Sequence, residues 1–261
     1  MKIREITDVI EAFAPLALQE SYDNAGLIVG RPDDEVQRAL LAVDVTEEVM
    51  DEAEREGCGL VITHHPIIFH PLKRFNSASV AERCVERAIR SGTALYACHT
   101  NLDSAPGGMS WRLAEQLGIG DPVLLQPAAA GADTGFGVVG NLPETRDIAD
   151  YLRDVQRTLG IGAIRHSDIV RRQIRRVALC TGAGASLISD AWRAGAELYL
   201  TADLKYNDFF TPAGRLTVAD IGHFESEYCA IDILFALLSK NLITFAVRKS
   251  SASRNPIHYM V

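Results

Sequence analysis

Gly59-Leu60-Val61-Ile62-Thr63-His64-His65-Pro66 reads as a strand that stops abruptly at polar, turn-forming residues. Leu60–Thr63 is an unbroken apolar and β-branched run, too short for a helix, with glycine before it and His-His-Pro after it. The same pattern recurs on either side. Strands are expected at Arg38–Val43, Leu60–Thr63, Ala94–Cys98, Gly137–Asn141, Arg176–Cys180, Glu197–Thr201 and Leu216–Ala219. Between and around them, helical periodicity predicts helices at Ile3–Phe13, Glu47–Arg55, Ser79–Ser91, Ser110–Leu117, Thr145–Leu159, Ala185–Ala194 and Glu227–Ser239. Thr46 is placed to cap the second of these, with Glu47 and Glu48 facing the positive end of the helix dipole. Strands alternating with helices make an α/β fold whose sheets are mostly parallel or mixed, joined by helical crossovers.

Gln126–Thr134 (QPAAAGADT) is rich in Ala, Gly and Pro and reads as a linker. It divides the chain into an N-terminal α/β domain, 1–125, a second α/β domain, 126–221, and a C-terminal segment, 222–261. Both halves follow a plan of strand, polar turn and helix, so two α/β domains of related topology are expected.

Composition narrows the function. With 48% hydrophobic and 23% charged residues, the chain can bury a core and is not disordered. A formal net charge of −8 gives no basic footprint for nucleic acid or an anionic membrane surface. No apolar run reaches bilayer-spanning length, and Met1-Lys2-Ile3-Arg4-Glu5 lacks the apolar core of a signal peptide, so the cytoplasm is the expected location and no membrane partner is expected. The five cysteines, Cys58, Cys84, Cys98, Cys180 and Cys229, are scattered and form no C-x-x-C pair. They read as buried reduced thiols rather than a disulfide framework or a thiolate zinc site.

In open α/β sheets, ligands bind outside the carboxyl ends of the strands, and here those ends are polar. Leu60–Thr63 runs into His64 and His65. Ala94–Cys98 runs into His99-Thr100-Asn101-Leu102-Asp103. Leu216–Ala219 runs into Asp220, then Gly222-His223-Phe224-Glu225-Ser226-Glu227. Four of the seven histidines therefore fall at three such ends. Taken singly, each has a plain structural reading: a surface His-His pair, Asp103 capping the turn that follows, a buried His223. Together they point to metal. Imidazoles and carboxylates without thiolates suit Zn, Fe, Mn or Ni. His64, His65, Asp103, His223 and Glu227 overfill one tetrahedral site and fit a pair of ions bridged by a carboxylate. If a helix begins near His223, Glu227 shares its face and the competing Glu225 does not.

Other segments are less specific. Cys180-Thr181-Gly182-Ala183-Gly184-Ala185-Ser186, between a strand and a helix, is either a weak phosphate cradle or, preferably, a tight βα turn. Asp203 and Lys205 stand at another strand end, where they could pair with each other or meet substrate. His70, His166 and His258 lack comparable company and read as structural or surface residues.

Read in order, these segments resemble the NIF-three-like family, which includes GTP cyclohydrolase I type 2 homologues and dinuclear metal centre proteins. The similarity begins at Ser21-Tyr22-Asp23-Asn24-Ala25-Gly26-Leu27 and continues through Thr63-His64-His65-Pro66 with Phe69, and His99-Thr100-Asn101-Leu102-Asp103. It then takes in Gly182-Ala183-Gly184-Ala185-Ser186 and Thr201-Ala202-Asp203-Leu204-Lys205-Tyr206, and closes at Gly222-His223-Phe224-Glu225-Ser226-Glu227. The chain is too short for the central insertion that some members carry. Tyr22 stands where Trp is usual, Ser110-Trp111 follow Gly107-Gly108-Met109 where Asn-Asp is usual, and Ala202 replaces a Gly. None of these departures touches an expected ligand.

The resemblance implies two related α/β domains, a ring-shaped homohexamer and a pair of divalent transition-metal ions. The ions would be held by His64, His65, Asp103, His223 and Glu227, with Glu227 as the bridge and the 222–261 segment returning His223 and Glu227 to the site. His99 is implied as a close neighbour able to act as general acid or base. The function expected is metal-dependent hydrolysis of a small, nucleotide-like substrate. The alternative is a non-catalytic metal-binding protein or ring-shaped scaffold.

Overall fold

Three parallel strands with level ends organise the first half of the protein. In a computed structural model describing residues 1–210 and 214–260, β2 (Arg38–Ala42), β3 (Leu60–Thr63) and β4 (Ala94–Ala97) pair in parallel, with Ala42 opposite Thr63 and Thr63 opposite Ala97. Apart from Arg38, every residue of the three is buried, as continuous apolar runs covered on both faces must be. Two edge strands complete the sheet in the order β1-β4-β3-β2-β11: β1 (Gly26–Val29), antiparallel to β4, and β11 (Ala246–Lys249), parallel to β2.

Helices α1 (Ile3–Phe13), α2 (Glu47–Arg55), α3 (Val80–Ser91) and the short α4 (Thr100–Ser104) belong to this unit. In α1 the buried residues Ile3, Ile6, Thr7 and Ile10 follow helical spacing. Thr46 caps α2 by accepting from the Val49 N–H, as expected, and Ser79 caps α3 through Glu82. Met50, Ala53, Cys84 and Ala88 of α2 and α3 share one core cluster with Leu40, Val61 and Leu95 of the sheet.

The second unit holds a mixed sheet, in the order β5-β6-β8-β9-β10-β7. Its strands are β5 (Gly120–Pro127), β6 (Gly135–Asp147), β7 (Arg165–His166), β8 (Gln173–Ala183), β9 (Leu198–Ala202) and β10 (Thr217–Asp220). Pairing is parallel from β8 through β9 to β10 and antiparallel elsewhere. Its helices are α5 (Met109–Gln116), α6 (Ile148–Leu159), α7 (Ile188–Arg193) and α8 (His223–Glu227). One core cluster joins Leu113, Tyr151, Leu152 and Val155 to Val138, Val177, Leu198 and Ala219; a second, with Ile188 and Ala191, lies against Val139, Ala178, Tyr199 and Val218. Helix α9 (Cys229–Asn241) leads the chain back to the first unit.

The division of the chain differs from the expected one. One compact unit is Met1–Ala105 with Ala230–Arg254, and the other is Pro106–Cys229 with Asn255–Val261. Gln126–Thr134 covers the end of β5, with Gln126 opposite Phe136, and the loop that leads into β6. Its Ala-Gly-Pro composition marks a hairpin loop and not a domain boundary. All five cysteines are buried thiols, in line with the sequence. Among the described residues, no helix is long and apolar enough to cross a membrane.

Candidate metal centre

Level strand ends in the first unit place three histidines side by side. Past the last paired residues of β2, β3 and β4 the backbone ladder continues for a step: His65 N–H donates to Val43 O and Cys98 N–H to Thr63 O. His64 and His65 follow β3, and His99 follows β4. Their ring centroids lie 5.0 Å (His64–His65), 5.2 Å (His64–His99) and 5.5 Å (His65–His99) apart. Each offers a ring nitrogen, and these three nitrogens lie within 4.8 Å of one another. Helix α4 begins directly after His99, so Asp103 returns one turn later, with its Oδ2 3.9 Å from His64 Nε2.

The second nitrogen of each ring is fixed by an acceptor. His64 Nδ1 meets the Cys98 carbonyl at 2.8 Å, His65 Nδ1 the Asp44 carboxylate at 2.7 Å, and His99 Nδ1 the Asp23 carboxylate at 2.7 Å. Carbonyl and carboxylate oxygens only accept, so Nδ1 carries the hydrogen and Nε2 is the nitrogen each ring can offer a metal. The Asp23 side chain is fully buried and also accepts from the Thr100 N–H and hydroxyl. Burial alone would raise its pKa, but the hydrogen bonds from His99 and Thr100 and the charge of His99 outweigh this and bring it down to about 2.

Strand ends of the second unit build a matching group. Helix α8 starts at His223, so His223 and Glu227 share a face, with Nε2 2.9 Å from Glu227 Oε2. His223 Nδ1 meets Asp203 Oδ2 at 2.8 Å, again leaving Nε2 as the coordinating nitrogen. Asp203 follows β9 in the left-handed region, at φ 55°, a conformation that Asp tolerates better than most residues. Burial lowers the His223 pKa, but hydrogen bonds and charge from Glu227 and Asp203 prevail and raise it to about 9. The two carboxylates thus favour positive charge at His223, and a cation would serve the same two groups. Glu225 is engaged elsewhere, accepting from Asn255 Nδ2 at 2.9 Å.

Three of the expected ligands, His64, His65 and Asp103, are brought together in the first unit, with His99 beside them; His223 and Glu227 are brought together in the second. Asp103 lies within α4 and not in the turn after it. Asp203 pairs with His223 and not with Lys205, because the left-handed turn directs its carboxylate toward α8. In the Gly182 segment the Gly182 N–H is committed to Ser226 Oγ and its carbonyl accepts from Thr201 Oγ1, as in the tight βα turn preferred from the sequence. Sequence reasoning missed Asp44, and gave Asp23 and Asp203 no part in fixing histidines. Asp44 and Asp203 stand just past strand ends, the same signal that singled out the histidines.

The family profile for Duf34/NIF3 (NGG1p interacting factor 3) matches residues 1–256. The chain belongs to this family. A Clostridium perfringens protein named GTP cyclohydrolase 1 type 2 homolog is 33% identical over 230 residues, 87% of each chain. A Streptococcus pneumoniae protein of the same name is 30% identical over 272 residues and matches both chains along their full length. The fold is that of a Bacillus cereus protein related to NIF3, with a TM-score of 0.92, 22% identity and coverage of 100% of this chain and 99% of the other. In each unit of this Duf34/NIF3 chain, histidines and carboxylates follow the ends of parallel strands.

Proposed function

We propose that this Duf34/NIF3 protein is a dinuclear metal-binding protein that hydrolyses a small, nucleotide-like substrate. The observation that carries the reading is the uniform treatment of four histidines. Each has Nδ1 held by a carbonyl or carboxylate, so each presents Nε2, the arrangement that outer partners impose on metal-bound imidazoles. His64, His65 and Asp103 from the first unit, with His223 and Glu227 from the second, would hold a pair of divalent ions such as Zn, Fe, Mn or Ni, Glu227 acting as the bridge. The donor set fits: neutral nitrogens and carboxylate oxygens, with the thiols buried elsewhere. When bound, such ions supply Lewis acidity that activates water toward an electrophilic carbon or phosphorus.

The chain's own groups would then manage protons and position. Asp23 holds His99 in one tautomer, and His99 Nε2 can give or take a proton at the reacting atom. The ring-shaped hexamer and cytoplasmic location implied by the resemblance belong to this same proposal. The names of the relatives make GTP the first substrate to test. Metal-loaded protein should turn over GTP or a related nucleotide or heterocycle, and His65→Ala should abolish that turnover. Absence of turnover across a nucleotide panel, with metal bound, would leave a non-catalytic metal-binding protein or scaffold instead.

A further inference from the structure

Three consecutive residues before β1 have three separate roles. Asp23 holds His99. Asn24 Nδ2 donates to the Ile68 carbonyl at 2.7 Å and so ties this loop to the segment following the His64–His65 pair. Tyr22 lies beside them with 63% of its surface exposed. Across the tie stands Phe69, 39% exposed. The Tyr22 and Phe69 rings are 6.2 Å apart and inclined by 64°, and Phe69 meets His99 edge-on at 6.0 Å and 83°. Two large aromatic side chains are thus held in solvent at a set spacing, next to a histidine that the same loop fixes.

We propose that Tyr22 and Phe69 form a receiving surface for the nitrogen-containing aromatic ring of a nucleotide-like substrate, placing its edge toward His99. The inference rests on the metal-centre reading, since the ring is the part of the substrate it delivers there. Aromatic residues supply flat contact area at little entropic cost, and a stacked ring gains from every face it covers.

The test uses whole protein, with and without reconstituted metal, titrated calorimetrically with guanosine, adenosine and riboflavin as ring probes and ribose 5-phosphate as the ringless control. Metal content and sedimentation are measured on every sample. Tyr22→Leu and Phe69→Leu should each weaken ring binding about tenfold, with unchanged metal content and assembly. Tyr22→Phe should stay near the wild type, and ribose 5-phosphate should be indifferent to all three changes. Three outcomes overturn the proposal: no ring probe binds wild-type protein, the leucine variants bind rings as well as the wild type, or they alter sedimentation instead, which makes the patch a contact between copies. Wild-type protein that takes up no metal yet binds rings through Tyr22 and Phe69 would sink the metal reading alone.

Discussion

A histidine makes a dependable ligand or proton carrier only when one nitrogen is committed, because a ring that can flip or change tautomer presents no fixed atom. His99 shows how much rests on the committing partner. Its Nδ1 meets a carboxylate that is fully buried and held ionised by hydrogen bonds from His99 and from Thr100. With the Asp23 pKa brought down to about 2, this anchor keeps its charge across any working pH. His99→Ala should therefore keep bound metal and lose turnover by roughly two to four decades, the range for a general acid or base. Metal analysis and turnover on the same variant decide the matter: a parallel fall in both makes His99 a ligand, and retention of both removes it from the mechanism. His99 itself was legible in the sequence as a polar residue closing an apolar strand. Asp23 as its partner was not, because 76 residues separate them and only the fold brings them together.

At the scale of elements, the interior strands and the longer helices were legible because burial on both faces or helical spacing writes itself into the sequence. Ile3–Phe13, Glu47–Arg55 and Leu60–Thr63 match the expected bounds. The edge strands escaped: β11 is Ala-Val-Arg-Lys, half charged and exposed, and β7 has two residues. Helices α4 and α8 are five residues each, shorter than periodicity can detect, although they deliver Asp103 and Glu227. Strand β11 needs an anchor that local sequence does not announce. Glu52, in α2, accepts from the Ser250 hydroxyl, from both the N–H and hydroxyl of Ser251, and from the Ala252 N–H. Burial would raise its pKa, but these donors bring it down from 4.5 to about 2. A depressed carboxyl stabilises the fold fully above its unfolded pKa, and that contribution is lost as pH falls through 4.5 toward 2. Glu52→Gln should cost about 2–3 kcal/mol at neutral pH and flatten the acid limb of the stability curve, as denaturant melts at several pH values would record. A variant as stable as wild type throughout would refute the anchor. Gly182 makes a second element-level case. At φ 60° on β8, it has no room for a Cβ, which would overlap the Glu227 carboxylate. Gly182→Ala should weaken metal binding by displacing Glu227 while costing only about 1–2 kcal/mol of stability. Unchanged metal affinity in a folded variant would mean that Glu227 is not held by this approach.

For the molecule as a whole, the α/β class and the Duf34/NIF3 resemblance could be read in advance, whereas the division of the chain could not. Composition suggested a boundary near Gln126–Thr134, but that stretch lies within the β5–β6 hairpin, and the first unit is completed by Ala230–Arg254 from far along the chain. A returning segment leaves no compositional mark, because it is as apolar as the unit it joins. The ligands divide in the same way, His64, His65 and Asp103 in one unit and His223 and Glu227 in the other. Metal stoichiometry tests most directly the proposal that these five residues hold two ions. Protein reconstituted with Zn, Fe or Mn should carry about two ions per chain. Glu227→Gln should lose metal although most ligands lie in the other unit, and Glu225→Gln, whose carboxylate is taken by Asn255, should keep it. Elemental analysis giving one ion or none for wild-type protein, or metal lost from Glu225→Gln but not from Glu227→Gln, would contradict the account.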